Sequence, residues 1–314
     1  MAEGDLTLSL RIDAVGGDVA DGVPRAQIDA VRAELNAAVG RGLVLLVHGF
    51  NNTLEDATAS YDGFFKVQRE LARIPDARAL ADNRVFVRVL WPGDAKWGVL
   101  SPLYYPRSVT AGVLCAERFG AALRALAAGR AEPLDVWIVG HSMGCRIALE
   151  ILRWITQTPS LRVSRLVLMA GAVPTYRLEA AAQKPGSLRK AYDDTLGARA
   201  GACRSLYSSW DGVLAGAFPY GQSLAEGDEG FTPVALGHEY WQAGVPLAGH
   251  TQGEVHGAGH SDYWGGESSD PRIARRAQGE VAGFLGFQSS AGRETEVRDL
   301  AERGTAAARE TLTR

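Results

Sequence analysis

Short apolar runs alternate with helix-like patterns along most of the chain. The apolar runs predict buried strands, at residues 43–47, 84–91, 134–139 and 164–169. Between these runs, apolar residues recur at the spacing of one helical face, over residues 24–39, 54–73, about 108–128 and 142–157. Strands that are separated by helices favour a mostly parallel sheet with helices on both faces. We therefore predict a three-layer α/β fold.

The two ends of the chain carry weaker patterns. Residues 5–15 alternate between apolar and polar side chains, which is typical of an edge strand. Residues 272–287 predict a final helix, and residues 291–314 form a charged, alanine-rich tail. Because no internal repeat or low-complexity linker divides the sequence, we expect one domain over residues 1–290.

Two stretches, residues 173–202 and 212–255, have no clear period. Irregular stretches of this length in a compact domain are often functional, so either could hold a cap or a pocket insertion. The second stretch contains aromatic residues that could form a hydrophobic pocket or pack the loop onto the body of the protein: Phe218, Tyr220, Phe231, Tyr240 and Trp241.

The most informative motif follows the strand at 134–139. The segment Gly140-His141-Ser142-Met143-Gly144 is a G-x-S-x-G pattern, and a helical pattern comes directly after it. A glycine-rich turn with a capping serine would also fit the five residues alone. The strand before and the helix after them favour a nucleophile elbow, in which glycines leave room for the close backbones. Ser142 is therefore the candidate nucleophile.

A nucleophilic serine needs a base and a carboxylate that orients the base. In this type of fold they follow the serine in the order acid, then histidine. Residues 203–210 resemble a strand, and Asp211 comes directly after it, so Asp211 is the candidate acid. His260 follows the glycine-rich stretch 253–259 and is the candidate base, with His256 as the alternative.

The strand at 43–47 leads into a second turn, which begins with His48-Gly49-Phe50. This turn would place the backbone N–H of Phe50 opposite that of Met143, giving two donors for an oxyanion. We assign supporting roles at the site to three polar residues: His48, Asn51 and His141. Asn51 could line the site or adopt turn dihedrals, and for Asn52 we favour turn dihedrals.

Composition narrows the possible partners and location. The net charge of −3 gives no support to nucleic acid or an anionic membrane as a partner. The chain has neither an apolar run of roughly 18 residues nor a secretory signal at its acidic N-terminus. Three cysteines without metal-type spacing indicate reduced thiols in a cytoplasmic protein, with Cys145 as a buried packing residue. We expect no metal and no cofactor.

The motifs resemble those of the α/β-hydrolase superfamily and, more narrowly, of the bacterial DUF900-like α/β-hydrolases. The resemblance spans about residues 40–265 and rests on these segments: His48–Asn52 with Glu55–Ala57, Leu90–Gly93, Gly140–Gly144, Tyr207–Asp211 and Gly259–Ser261. It departs in Trp91–Asp94, where a serine is expected after the proline, and in the stretch 212–255. The resemblance implies the three-layer α/β-hydrolase fold.

Together, these residues predict a serine hydrolase of the carboxylesterase, lipase or thioesterase type. Its small-molecule substrate would be an ester, a thioester or a related acyl compound, cleaved through an acyl-enzyme. Two alternatives stay open: an acyltransferase that uses the same triad, and a non-catalytic binding protein on the same fold. The sequence indicates neither the acyl group nor the oligomeric state.

Overall fold

A computed structural model describes residues 6–12, 18–37, 42–71, 84–94, 105–155, 158–178, 200–223, 234–240, 249–267 and 269–287. Within these ranges seven strands form one sheet, and every neighbouring pair is parallel. The strands are β1 (Thr7–Ser9), β2 (Gly42–Val47), β3 (Arg84–Leu90), β4 (Leu134–His141), β5 (Leu161–Met169), β6 (Ala200–Tyr207) and β7 (His250–Glu254). Their order across the sheet is β1-β3-β2-β4-β5-β6-β7.

Helices cover this sheet. They are α1 (Arg25–Ala37), α2 (Leu54–Leu71), α3 (Tyr105–Ala127), α4 (Met143–Ile155), α5 (Phe218–Ser223) and α6 (Pro271–Leu285). Helix α3 packs against α1 and α4, while α2 packs against α6. All six residues of β2 are buried, so both faces of the sheet are covered at its centre. The predicted three-layer α/β fold is confirmed.

The N-terminal edge strand is shorter than the alternating pattern predicts. Only Thr7–Ser9 pair with β3, although Leu8 and Leu10 are both buried. Ile12 is 65% exposed and does not continue the strand. Directly after Leu10, Arg11 forms a buried ion pair with Asp94, at 2.5 Å. This pair joins β1 to the turn that follows β3.

The last helix positions a loop that is important below. Asp270 caps α6, because its carboxylate accepts the N–H groups of Arg272 and Ile273. The helix ends at Gly286, whose φ of 76° is the left-handed conformation that glycine adopts without strain. The loop 259–269, which contains His260, therefore enters a firmly capped helix.

The irregular stretches are described only in part. In 173–202 the structure contains a 3₁₀ turn, Thr175–Leu178, and the start of β6. In 212–255 it contains a π-helical turn, Val213–Ala217, followed by α5 and β7. The rest of both stretches, including Phe231 and Trp241, lies outside the described residues, as does the predicted tail 291–314. A cap over the site stays a prediction.

The three cysteines are buried free thiols, as the sequence indicates. Cys145 packs behind the G-x-S-x-G turn with its sulfur 3.4 Å from the Met169 carbonyl oxygen, and burial raises the pKa of its thiol well above the usual value. Burial also raises the pKa of Cys115 and of Cys203 to about 12. In the described ranges, no helix has the length and hydropathy needed to cross a bilayer.

Candidate active site

Ser142 lies at the sharp turn between β4 and α4, where the sequence predicts an elbow. Its φ of 54° is in the left-handed region, which costs a non-glycine residue free energy. Hydrogen bonds hold this conformation. The Ser142 N–H donates to the carbonyl of Met169 (3.0 Å), and its own carbonyl accepts from Cys145 and Ala172 (both 3.1 Å). The turn is therefore fixed by the neighbouring strand and by its own helix.

Glycines are required around this serine because three backbone segments meet there. A Cβ atom on Gly140 would lie 2.8 Å from the carbonyl oxygen of Gly144. A Cβ atom on Gly49 would lie 2.9 Å from the Cβ atom of Ser142. The turn after β2 thus passes directly against the side chain of Ser142.

A hydrogen-bond chain joins the three residues that the sequence proposes as nucleophile, base and acid. Ser142 Oγ lies 2.9 Å from His260 Nε2, and His260 Nδ1 lies 2.8 Å from Asp211 Oδ2. A carboxylate only accepts, so Nδ1 carries the imidazole proton and Nε2 is free to accept from the serine hydroxyl. Asp211 is fully buried, while the His260 side chain is 18% exposed.

The second oxygen of Asp211 has a different task. Oδ1 accepts the backbone N–H groups of Val213 (3.1 Å) and Leu214 (3.0 Å) and so caps the π-helical turn Val213–Ala217. Three donors converge on one buried carboxylate, which satisfies its charge and fixes its orientation.

His141 supports the loop that contains His260, the candidate base. Its Nε2 lies 2.8 Å from the backbone carbonyl oxygen of His260, so this nitrogen donates. Burial, together with the nearby His260 ring, lowers the pKa of His141 to about 3. His141 is therefore neutral near pH 7 and holds His260 through its main chain.

His48 fixes the turn that follows β2. Its Nδ1 donates to the Gly49 carbonyl (2.8 Å), its ring stacks on Trp91, and its backbone N–H donates to the Tyr61 hydroxyl (2.9 Å). Burial lowers the pKa of His48 to about 4, so this ring is also neutral. The supporting position predicted for His48 agrees with these contacts. Tyr61, which holds the turn from α2, has no signal in the sequence beyond its apolar helical position.

Asn51 and Asn52, which follow Phe50, differ from the sequence prediction in which of them has the turn conformation. Asn51, not Asn52, has the left-handed backbone, with a φ of 60°, and its N–H donates to the Gly93 carbonyl (2.6 Å). The favoured turn role for Asn52 is thus corrected. Asn52 instead donates from its side chain to the Phe50 carbonyl (3.3 Å). The hydrogen bond from the Asn51 N–H to Gly93, which lies far away in the chain, holds Asn51 in the turn conformation.

The two predicted oxyanion donors, Phe50 and Met143, belong to segments next to Ser142. Met143 follows it directly at the start of α4, and Phe50 lines the same cavity as Ser142. Among the described residues, no acceptor takes the backbone N–H of Phe50 or of Met143. Their role as oxyanion donors stays a prediction.

His256, the alternative base, lies away from the serine. Its side chain is 70% exposed, its ring contacts Trp210, and its Nδ1 is 3.8 Å from the carboxylate of Glu254. The structure therefore brings His260, and not His256, to Ser142.

A cavity of about 690 Å³ opens onto Ser142 and His260. Its lining comes mainly from the turn after β2, the starts of α2 and α3, the π-helical turn with α5, and the loop before α6. Of the five aromatic residues singled out in 212–255, Phe218 lines the cavity, while Tyr220 and Tyr240 are 73% and 58% exposed. Tyr105 also lines it, and the sequence pattern misses this residue because it predicts that the helix begins near 108.

Among the described residues, no group of three or more histidine, cysteine or acidic side chains could hold a metal ion.

A parallel sheet with the strand–serine–helix turn at its centre defines the α/β-hydrolase class of fold. The family model for "Alpha/beta hydrolase of unknown function (DUF900)" matches residues 24–184, and the chain belongs to this family. The match includes Ser142 and ends before Asp211 and His260.

Two solved structures are similar to this chain at low sequence identity. A candidate cell-surface hydrolase from Lactobacillus plantarum WCFS1 is 14% identical, with a TM-score of 0.44, over 83% of this chain and 98% of that one. A candidate hydrolase from Agrobacterium vitis S4 is 14% identical, with a TM-score of 0.41, over 78% and 88%. These likenesses are too distant to bear on activity. No curated protein sequence matches the chain.

Proposed function

We propose that the protein is a serine hydrolase that cleaves an ester, thioester or related acyl substrate through an acyl-enzyme. The observation that carries the proposal is the hydrogen-bond chain from Ser142 Oγ through His260 to the buried Asp211. A protein that only binds a ligand does not require a histidine that is hydrogen-bonded both to a serine in a strained backbone conformation and to a buried carboxylate.

In the proposed reaction, Ser142 Oγ attacks the substrate carbonyl while His260 Nε2 takes its proton. Asp211 stabilises the imidazolium that forms and keeps the proton on Nδ1. The oxyanion accepts the N–H groups of Phe50 and Met143, at the N-terminus of α4 where the helix dipole favours negative charge. His260 then returns the proton to the leaving group. Water, activated by the same base, releases the acid from the serine.

Two neighbouring histidines support this assignment by remaining neutral. Burial holds the pKa of His141 at about 3 and that of His48 at about 4, so neither carries a positive charge near pH 7. Such a charge would oppose the imidazolium that must form on His260. Acyl transfer to an alcohol or amine would use the same residues, and product analysis with a competing nucleophile distinguishes it from hydrolysis.

Covalent labelling tests the proposal directly. A fluorescent fluorophosphonate should label the wild-type protein at one serine, and peptide mapping should identify it as Ser142. Ser142→Ala should abolish the label and lower any esterase turnover by about three orders of magnitude or more. Ser209→Ala changes an exposed serine on a neighbouring segment and should label normally. Equal labelling of Ser142→Ala, or no labelling of the wild type, would overturn the proposal.

A further inference from the structure

The cavity at Ser142 has two chemically different walls. One wall, which we term the apolar wall, consists of Phe50, Tyr105, Ala172, Leu214, Ala217 and Phe218. The other, which we term the polar wall, contains all the polar side chains that α2, the turn before it and residue 267 contribute, with Ala59 and Trp264 beside them: Asn51, Asn52, Glu55, Asp56, Ser60 and Glu267. Because the reacting carbonyl of an ester divides an acyl group from a leaving group, a cavity with two unlike walls can fix which part lies on which side.

Tyr105 holds the apolar wall together. Its ring meets Phe50 edge-on, with 6.0 Å between the ring centroids, and meets Phe218 in the same way, also at 6.0 Å. Its hydroxyl donates to the carbonyl of Ala172 (3.2 Å). The one polar atom on this wall's aromatic side chains is thereby satisfied, so the wall offers hydrocarbon to a ligand.

The apolar wall is also fixed relative to the triad. Asp211 Oδ1 caps the π-helical turn Val213–Ala217, which contributes Leu214 and Ala217, and α5 then begins with Phe218. Single π-helical turns are rare and occur often at functional sites. The residue that orients His260 thus also sets the position of this part of the wall.

Charge separates the two walls further. In the part of the chain that the structure describes, the cavity lining contains three carboxylates, Glu55, Asp56 and Glu267, and neither lysine nor arginine. Burying these carboxylates under a hydrocarbon chain would cost their hydration. An apolar acyl chain therefore gains free energy on the apolar wall and loses it on the polar one.

We propose that the apolar wall binds the acyl group of the substrate, and that Ala217 sets the length of acyl chain that fits. This inference rests on the proposed hydrolase function. Leu214 and Phe218 are 2% and 3% exposed and mainly pack into the protein. Ala217 is only half-buried and has the smallest side chain that the π-helical turn offers to the cavity. A larger side chain at this position would occupy the space of the acyl chain.

The experiment compares Ala217→Phe with Ala215→Phe, which adds the same group to an exposed position on the same turn. kcat/KM is measured for p-nitrophenyl esters from acetate to dodecanoate. Ala217→Phe should lower kcat/KM for the octanoate ester by about tenfold or more and leave the acetate ester within about threefold, because a hydrophobic pocket discriminates by chain volume. Ala215→Phe should keep the wild-type ratio of the two.

Each outcome decides the proposal. If Ala217→Phe lowers both esters by the same factor, or neither, Ala217 does not set chain length. If Glu267→Leu changes the ratio while Ala217→Phe does not, the acyl chain lies on the polar wall. Should Ala217→Phe fail to fold, Ala217→Leu makes the same comparison with a smaller group. If the fluorophosphonate labels the wild type but substitutions of Ala217 do not change the chain-length preference, only this inference is refuted. If the wild type is not labelled, the hydrolase function is refuted too.

Discussion

Replacing Asp211 separates catalysis from stability, because its two oxygens have different partners. Oδ2 accepts from His260, whereas Oδ1 accepts from the N–H groups of Val213 and Leu214. An asparagine has nearly the same shape but offers only one acceptor. The two N–H donors of the turn require that acceptor, so the new NH₂ group must face His260. His260 Nδ1 must then accept, so the imidazole proton moves to Nε2. Once protonated, Nε2 can no longer take the proton of the Ser142 hydroxyl.

The loss of activity and the loss of stability have different magnitudes in the Asp211 variants. In a well-studied triad, the corresponding change of tautomer lowers kcat about 10⁴-fold, which corresponds to about 5 kcal/mol of transition-state stabilisation. We expect a loss of the same order for Asp211→Asn. Its unfolding free energy should change little from loss of the cap, since the amide oxygen still caps the turn. Asp211→Ala removes the cap as well, and an N-cap alone contributes about 1 kcal/mol. The N–H of Leu214, which is buried, also loses its acceptor and raises the cost to about 2 kcal/mol.

The assay combines turnover with urea unfolding of the wild type, Asp211→Asn and Asp211→Ala. Asp29→Asn, which removes an exposed carboxylate on α1, controls for the change of charge. Both Asp211 variants should be almost inactive, with Asp211→Ala clearly the less stable. If Asp211→Asn kept more than about a tenth of the activity, the assigned tautomer of His260 would be wrong. If Asn and Ala variants had equal stability, Oδ1 would not act as a cap.

Two further predictions concern the residues around the nucleophile. His48 and His141 have folded-state pKa values of about 4 and about 3, below the usual value of 6.5. The unfolded chain therefore binds more protons, and the unfolding free energy should fall as the pH drops below 6.5, by about 2 kcal/mol for each histidine at pH 5. Burial also lowers the pKa of His250 to about 4, which adds a similar amount. Urea unfolding at pH 8 and pH 5 measures the total loss, which His141→Gln should reduce by about a third; a pH-independent stability contradicts it. Gly49→Ala should slow fluorophosphonate labelling about 10²-fold, since the new Cβ pushes against Ser142. Gly22→Ala, where the added Cβ meets no atom within 4 Å, should label like the wild type.

The central sheet and the sites of the three proposed catalytic residues could be predicted from the sequence for one physical reason. Buried parallel strands are continuous apolar runs, and such runs are visible without tertiary information. Ser142 directly follows such a strand, whereas Asp211 lies four residues after β6, a mixed strand that ends at Tyr207, and His260 lies a few residues beyond β7. Because parallel strands all end at the same edge of a sheet, order along the chain was enough to expect these side chains to meet.

The walls of the cavity could not be predicted in the same way. The π-helical turn Val213–Ala217 is capped by Asp211 Oδ1, and Oδ2 of the same buried carboxylate accepts from His260, which belongs to a distant loop. Tyr105 belongs to the wall through ring contacts with Phe50 and Phe218, which lie far away in the chain. None of these contacts leaves a local period. Pro106, in the first turn of α3, is the one sequence signal that could have placed the start of this helix earlier.

The histidines near Ser142 show most clearly what the sequence alone does not predict, namely which imidazole can act as a base. His48 and His260 lie in turns close to Ser142, and His141, the last residue of β4, is the neighbour of Ser142 in the chain. Burial makes His48 and His141 poor bases, with pKa values of about 4 and about 3, and their ring nitrogens already donate to backbone carbonyls. His260 alone among them has a carboxylate on one nitrogen and the serine hydroxyl on the other. The base is therefore chosen by what surrounds each imidazole, so a histidine introduced near Ser142 without a buried carboxylate behind it should not replace His260.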